Sequence, residues 1–156
     1  IWEGTGNIVA LDALTRAVAR HGAESALGAD LHARLDDSAA VPQAWRDRLR
    51  NLTDRAIAFA REVAQHSENE ADARRATSTL YQVASAVAMT WEGARIHAAR
   101  GDARRVLWAR MVVEHRLEPS DPFKLMAGEA ERKIVEHLLD NHALGMAEAG
   151  ELLTAA

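Results

Sequence analysis

Apolar residues recur at alternating intervals of three and four over two long stretches, and that period excludes most folds before any motif is considered. One seam runs from Trp45 through Leu49, Leu52, Ala56, Phe59 and Val63. A second runs from Ala73 through Ala76, Leu80, Val83, Val87, Trp91 and Ala94. Residues spaced this way share one face of an α-helix and need another helix to cover them. No stretch alternates with period two, and aromatic and β-branched residues are too scattered to specify strands. The sequence therefore predicts an all-α chain, an antiparallel helical bundle of about five to seven helices, three or four of them long.

Punctuation along the chain divides that bundle. Asn7 is placed to cap a first helix with an apolar face of Ile8, Leu11, Leu14 and Val18, ending at His21-Gly22 where glycine suits the residue past a helix end. Gly28 interrupts the next segment, Ala23 to Leu35, which reads as a weak or broken helix, and Asp36-Asp37-Ser38 reads as a loop. Pro42 suits the first turn of a helix running to His66, roughly 36 Å at 1.5 Å per residue. The polar run 67–70 precedes the helix that reaches Arg100, and Gly101-Asp102 turns the chain, with Asp102 capping a helix from Ala103 to Leu117. Pro119 and Pro122 close that helix off. A last long helix is expected over Phe123 to Asn141, burying Met126, Ala130, Ile134, Leu138 and Leu139. The final residues read as a short helix or a frayed tail.

Composition narrows the chemistry. The chain of 156 residues has no cysteine, which removes disulfides, thiol catalysis and Cys-ligated zinc. No apolar run approaches the eighteen or so residues of a membrane span, and no signal peptide is visible, so a cytoplasmic protein is the expectation. The first residue is Ile rather than Met, which points to a fragment. Charge is uneven: residues 42–113 hold twelve Arg against eight acidic residues, between acidic ends. Such a middle reads as solvated helix faces or as a phosphate-contacting patch through Arg46, Arg48, Arg50, Arg55, Arg74, Arg75, Arg104 and Arg105. The seven histidines do not fall at metal-ligand spacing, since His137 and His142 are five apart and Glu114-His115 and Glu136-His137 are adjacent. Glu62 and His66 share a face, as surface pairs do, and no metal site is expected. Trp45 and Trp91 fall on the seams as core residues, while Trp108 suits core or interface. Trp91-Glu92-Gly93 repeats Trp2-Glu3-Gly4 in the middle of a helix, without the Thr and second Gly that follow the first triplet.

That first triplet opens the most informative segment, Ile1-Trp2-Glu3-Gly4-Thr5-Gly6-Asn7-Ile8. A carboxylate followed by two glycines lets a backbone turn tightly and present an acid to a ligand. The same residues also read as a helix lead-in with Thr5 or Asn7 as the cap. The string, followed by Leu11-Asp12-Ala13-Leu14, resembles the acyl-CoA dehydrogenase family, in which an aromatic-Glu-Gly-Thr segment precedes the last helix of the catalytic helical domain. With Trp before Glu and Gly-Asn after Thr, it looks most like the alkylation-response, AidB-like branch. The match covers about twenty residues.

The resemblance implies residues 1–21 as the catalytic loop and last helix of that domain, truncated, and 22–156 as a C-terminal helical bundle domain. It implies Glu3 as the base that removes the α-proton of an acyl-CoA thioester while hydride passes to flavin. Gly4, Thr5 and Asn7 would be FAD-binding positions, with Trp2 lining the pocket. An α-C–H beside a thioester is a weak acid, which a desolvated carboxylate of raised pKa suits. Most of the family's FAD and substrate contacts precede this motif, so the chain alone is expected to bind no FAD and to be inactive. The parent would act on acyl-CoA as a homo-oligomer, dimer or tetramer. The alternatives are a helical oligomerisation module and a DNA-binding module, and among enzymes the very-long-chain acyl-CoA dehydrogenases, whose membrane association finds no basic amphipathic stretch here.

Overall fold

A computed structural model describes residues 2–118 and 128–155, with side chains described at all of these except 2–5 and 67. Among the described residues there are seven α-helices and no strand, an all-α bundle. They are α1 (Trp2–Asp12), α2 (Ala23–Asp36), α3 (Gln43–Gln65), α4 (Ala73–Arg100), α5 (Arg104–Val112), α6 (Glu129–Leu139) and α7 (Met146–Thr154). π-helical turns extend α1 over Ala13–Val18 and α5 over Val113–Leu117, and a 3-10 segment, Ser67–Asp72, joins α3 to α4.

The two long seams form the hairpin at the centre. Trp45, Leu49, Leu52, Ala56 and Val63 of α3 are buried, and so are Ala73, Ala76, Val83, Val87 and Ala94 of α4. Ala60, Thr53, Ala86 and Thr90 join them, while Phe59, Leu80 and Trp91 are half-buried at the margin. α4 is the hub, touching α1, α2, α3 and α5. Among the described residues α3 and α4 are the longest helices, with 23 and 28 residues.

Gly101 ends α4 in the left-handed region at φ 74°, where its amide donates to the His97 carbonyl. Gly22, at φ 59°, likewise separates the π-helical turn from α2. Both are conformations that cost a side-chain-bearing residue energy. Gly93 matters for space instead: a Cβ there would lie 2.6 Å from Cγ1 of Val106 and 3.0 Å from its amide. The second Trp-Glu-Gly triplet is therefore a packing feature, where α5 lies tightly against α4.

Four expectations are corrected. α2 runs unbroken through Gly28, because that glycine faces Ile57 of α3, whose Cδ1 would lie 3.1 Å from an added Cβ. Tertiary contact there outweighs a propensity cost of about 1 kcal/mol. Trp91 is not core: the Arg34 and Arg95 guanidiniums each lie over its ring, 4.9 Å from the centroid, and its Nε1 donates to Asp37. Leu139 is 80% exposed, since α6 buries Ile134 and turns Leu139 away from the body. α5 begins at Arg104, with Asp102 two residues before it accepting the Arg104 amide. The expected helix start at Phe123, the prolines 119 and 122, and Met126 lie outside the described residues. The chain ends in a short helix, α7, whose Ala149, Leu152 and Leu153 are buried.

Candidate functional site at the first helix

The segment expected to be a loop is helical: α1 begins at Trp2, so Glu3, Gly4 and Thr5 lie in its first turn. Asn7 is inside the helix rather than capping it. Gly4 and Gly6 disfavour helix, but extending a turn that is already docked costs far less than nucleating one. The docking begins three residues later. Ala10, Leu14 and Val18 are buried against Ala60 and Val63 of α3 and Ala73 and Ala76 of α4. The two α4 alanines are small enough for α1 to approach closely. Leu11 is half-buried beside them, whereas Ile8, expected on this face, is 69% exposed and Val9 is exposed with it. The apolar face is thus offset from the predicted one. The π-helical turn after Asp12, in which the Ala19 amide reaches the Leu14 carbonyl, keeps Leu14 and Val18 on the buried side.

Asn7 lines a cleft of about 290 Å³ with Leu11, Glu70, Ala71, Ala73 and Arg74. One wall is α1, and the other is the end of the 3-10 segment and the first turn of α4. Arg74 is exposed, and no carboxylate pairs with it among the described residues. An amide and a guanidinium are donors suited to a phosphate oxygen, while Glu70 on the same rim opposes an anion. The volume falls just below the usual range of small-molecule pockets. The side chains of Trp2, Glu3 and Thr5 lie outside the described ones, and Gly4 is placed only by its backbone.

The remaining arginines of the basic middle are largely committed. Arg48 donates to Glu118 at 2.6 Å, Arg50 to Asp36 and Asp47, Arg105 to Glu92, and Arg75 to Asp72. Arg55 lies 3.9 Å from Glu118, and Arg46 bonds to the Val41 carbonyl and Gln43. Arg104 grips Asp102 through Nε and Nη2 and reaches the Asp140 carbonyl. Asp102 also accepts the amides of Arg104 and Leu144. These hydrogen bonds, the Arg104 side chain first, hold its carboxyl down to about 2 against the opposing effect of burial.

Sequence reasoning missed two buried charged residues. Glu24 accepts from Arg61 and Ser25 through Oε1, and Arg110 bonds both Glu114 and the Leu152 carbonyl. Their helical spacing marks them as ordinary surface positions, and only the packing of α2 on α3 and of α7 on α5 buries them.

Among the described residues, no group of three or more His, Asp and Glu is arranged to hold a metal ion, and His66 Nδ1 contacts the Glu62 carbonyl rather than its carboxylate. No described helix is long and apolar enough to cross a membrane. No family model matches the chain, and neither curated proteins nor solved structures give a match.

Proposed function

We propose that this chain is the C-terminal helical portion of an acyl-CoA dehydrogenase-like, cytoplasmic flavoenzyme, nearest the AidB-like branch, which oxidises acyl-CoA thioesters at the α and β carbons. The observation that carries the reading is the string Trp2-Glu3-Gly4-Thr5-Gly6-Asn7 leading into a helix. Two structural features support it. The backbone of α1 includes both Glu3 and Asn7, four residues apart along one helix. Ile8 and Val9 point away from the bundle, and the rest of a catalytic domain would cover them.

In this reading Glu3 takes the α-proton, Trp2 packs at the pocket mouth, and the backbone at Gly4 admits close approach. Thr5 and Asn7 donate to the cofactor. FAD supplies the acceptor for the hydride leaving the β-carbon. On this reading most of the FAD and substrate contacts would come from other segments of the parent, and the piece by itself would be inactive. The parent would be a homo-oligomer.

The test is Glu3→Gln in a flavin-loaded parent. Flavin content should be unchanged while the bleaching of flavin absorbance by acyl-CoA slows by about a hundred- to ten-thousand-fold. Full flavin occupancy with unchanged bleaching would overturn the role of Glu3.

The second reading, a DNA-binding module, rests on Arg74 and Arg100, the arginines within 42–113 that no described carboxylate or carbonyl engages. Phosphate contacts this few would give weak affinity that salt removes readily.

A further inference from the structure

The ion pairs that join one helix to another are of two kinds. Arg61–Glu24 and Arg50–Asp36 join α3 to α2, and Arg105–Glu92 joins α5 to α4. A guanidinium keeps its charge over the whole accessible pH range. α6 is held differently. Among the described residues two ion pairs join it to other elements, and both use a histidine. His115, on the π-helical turn after α5, meets Glu131 at 3.2 Å, and His137 of α6 meets Glu148 of α7 at 3.5 Å. His32–Asp54 is a similar pair between α2 and α3, but arginine pairs stand beside it. Imidazole is the side chain whose charge changes between pH 5 and 8. The ties of α6 therefore change strength in a range where the arginine ties do not.

The surroundings of both histidines add to this. His137 lies in a cleft of about 670 Å³ between α6 and α7, where Glu129 and Glu136 of α6 and Glu148 and Glu151 of α7 are set against Lys133. Lys133 is already bonded to Glu129. A charged His137 offsets the like charges that the two helices present to each other, and a neutral one leaves them opposed. Around His115 the charged residues are Glu131 across from it, Arg116 beside it, Glu114 held by Arg110, and Glu118 held by Arg48. α4 packs on the same turn and carries no charged residue from Ala76 to Trp91. Little else fastens α6. It has 11 residues, too few for a stable isolated helix, and Ile134 is the one side chain on it that the fold buries completely. The chain beyond is anchored separately, by Arg104 on the Asp140 carbonyl and by the Ala103 amide on the Leu144 carbonyl. α6 can therefore loosen while α7 stays docked.

We propose that α6 is a pH-operated flap, fastened to the bundle while His115 and His137 are protonated and released as they lose their charge, which opens the core at Ile134. A protonated imidazole attracts a carboxylate and a neutral one does not. Attachment is thus firmest near pH 5.5, where carboxylates are ordinarily charged and imidazoles ordinarily protonated, and it weakens towards pH 8. The proposal is independent of the flavoenzyme reading, because it uses none of the first helix.

Amide hydrogen exchange of the chain at pH 5.5 and pH 7.5, corrected for the intrinsic rate at each pH, tests it. Protection across α6 should fall by about three- to tenfold from the lower pH to the higher, the range that two partly shielded pairs supply. Protection in α3 should change by less than about twofold, since local opening is independent of the central hairpin. His115→Gln together with His137→Gln should remove the difference and hold α6 at the wild-type level of pH 7.5. His142→Gln removes a histidine that pairs with Asp140 two residues before it, and should leave the difference intact. Equal α6 protection at the two pH values would overturn the proposal. So would a fall that α3 shares, one that persists in the double variant, or one that His142→Gln abolishes.

Discussion

Thr90 lies two-thirds of the way along α4 with no exposed surface, and its hydroxyl does two things at once. It donates to the Ala86 carbonyl at 2.9 Å and accepts the indole Nε1–H of Trp45 at 3.1 Å. Trp45 is itself 1% exposed, so that acceptor is what permits an indole N–H in the core. Threonine at this position is not a tolerated polar residue but the partner of a specific donor on the facing helix. Thr90→Val keeps the shape and removes the acceptor. It should lower stability by about 1–3 kcal/mol, the cost of a buried donor left unsatisfied, measured by urea unfolding with an unchanged m-value. A loss within 0.5 kcal/mol, roughly the scale of surface substitutions, would show that the indole finds another acceptor.

At the scale of elements, the short helices are held by what they touch. α7 has nine residues, too few for a stable isolated helix. Its buried face is Ala149, Gly150, Leu152 and Leu153, with Gly150 so close to Pro42 that a Cβ would lie 2.9 Å from Cγ. Arg110 adds the polar tie, joining Glu114 on its own helix to the Leu152 carbonyl on α7. Arg110→Ala should lower stability by about 2 kcal/mol, the worth of a hydrogen bond to a charged group. Hydrogen exchange should show the α7 amides losing more protection than those of α3. Equal loss in both helices would mean that α7 unfolds only with the whole bundle. The same logic explains α1, whose glycine-containing first turn is helical because Ala10 and Leu14 are docked beyond it.

Across the whole molecule, charge serves assembly of the helices more than display. Pairs between segments, such as Arg48–Glu118, Arg61–Glu24 and Arg105–Glu92, use the planar guanidinium, which suits carboxylates better than lysine does. Asp102 is the junction with the clearest pH consequence, since it ties the start of α5 to the segment leading into α7. Its folded carboxyl is lowered from 3.8 to about 2, so the stability it contributes is present above the unfolded value and is lost as pH falls from about 4 towards 2. Asp102→Asn should remove about 2 kcal/mol of the acid-dependent loss over that window. Denaturant midpoints of the two proteins at stepped pH would check this. Glu129, bonded to Lys133, and Asp140, bonded to His142, are lowered in the same direction and should leave the variant some residual slope. Identical pH profiles would show that Asp102 carries no linkage.

How much of this was legible beforehand depended on whether the signal was local. The helical period, Pro42 at the head of α3, and Gly22 and Gly101 past helix ends are properties of neighbouring residues, and they determined the all-α class and most helix ends. The octapeptide containing Glu3 and Asn7 is likewise a local string, and it carries the functional reading by itself. What one helix does to another had no such signal. Continuation of α2 through Gly28, the helical first turn of α1, the outward turn of Ile8 and Leu139, and burial of Glu24 and Arg110 were all decided by tertiary contacts. The physical reason is one of magnitude. Propensity and period act at about 1 kcal/mol per residue or less, and a close contact such as Val106 against Gly93, or a buried hydrogen bond such as Trp45 to Thr90, outweighs them.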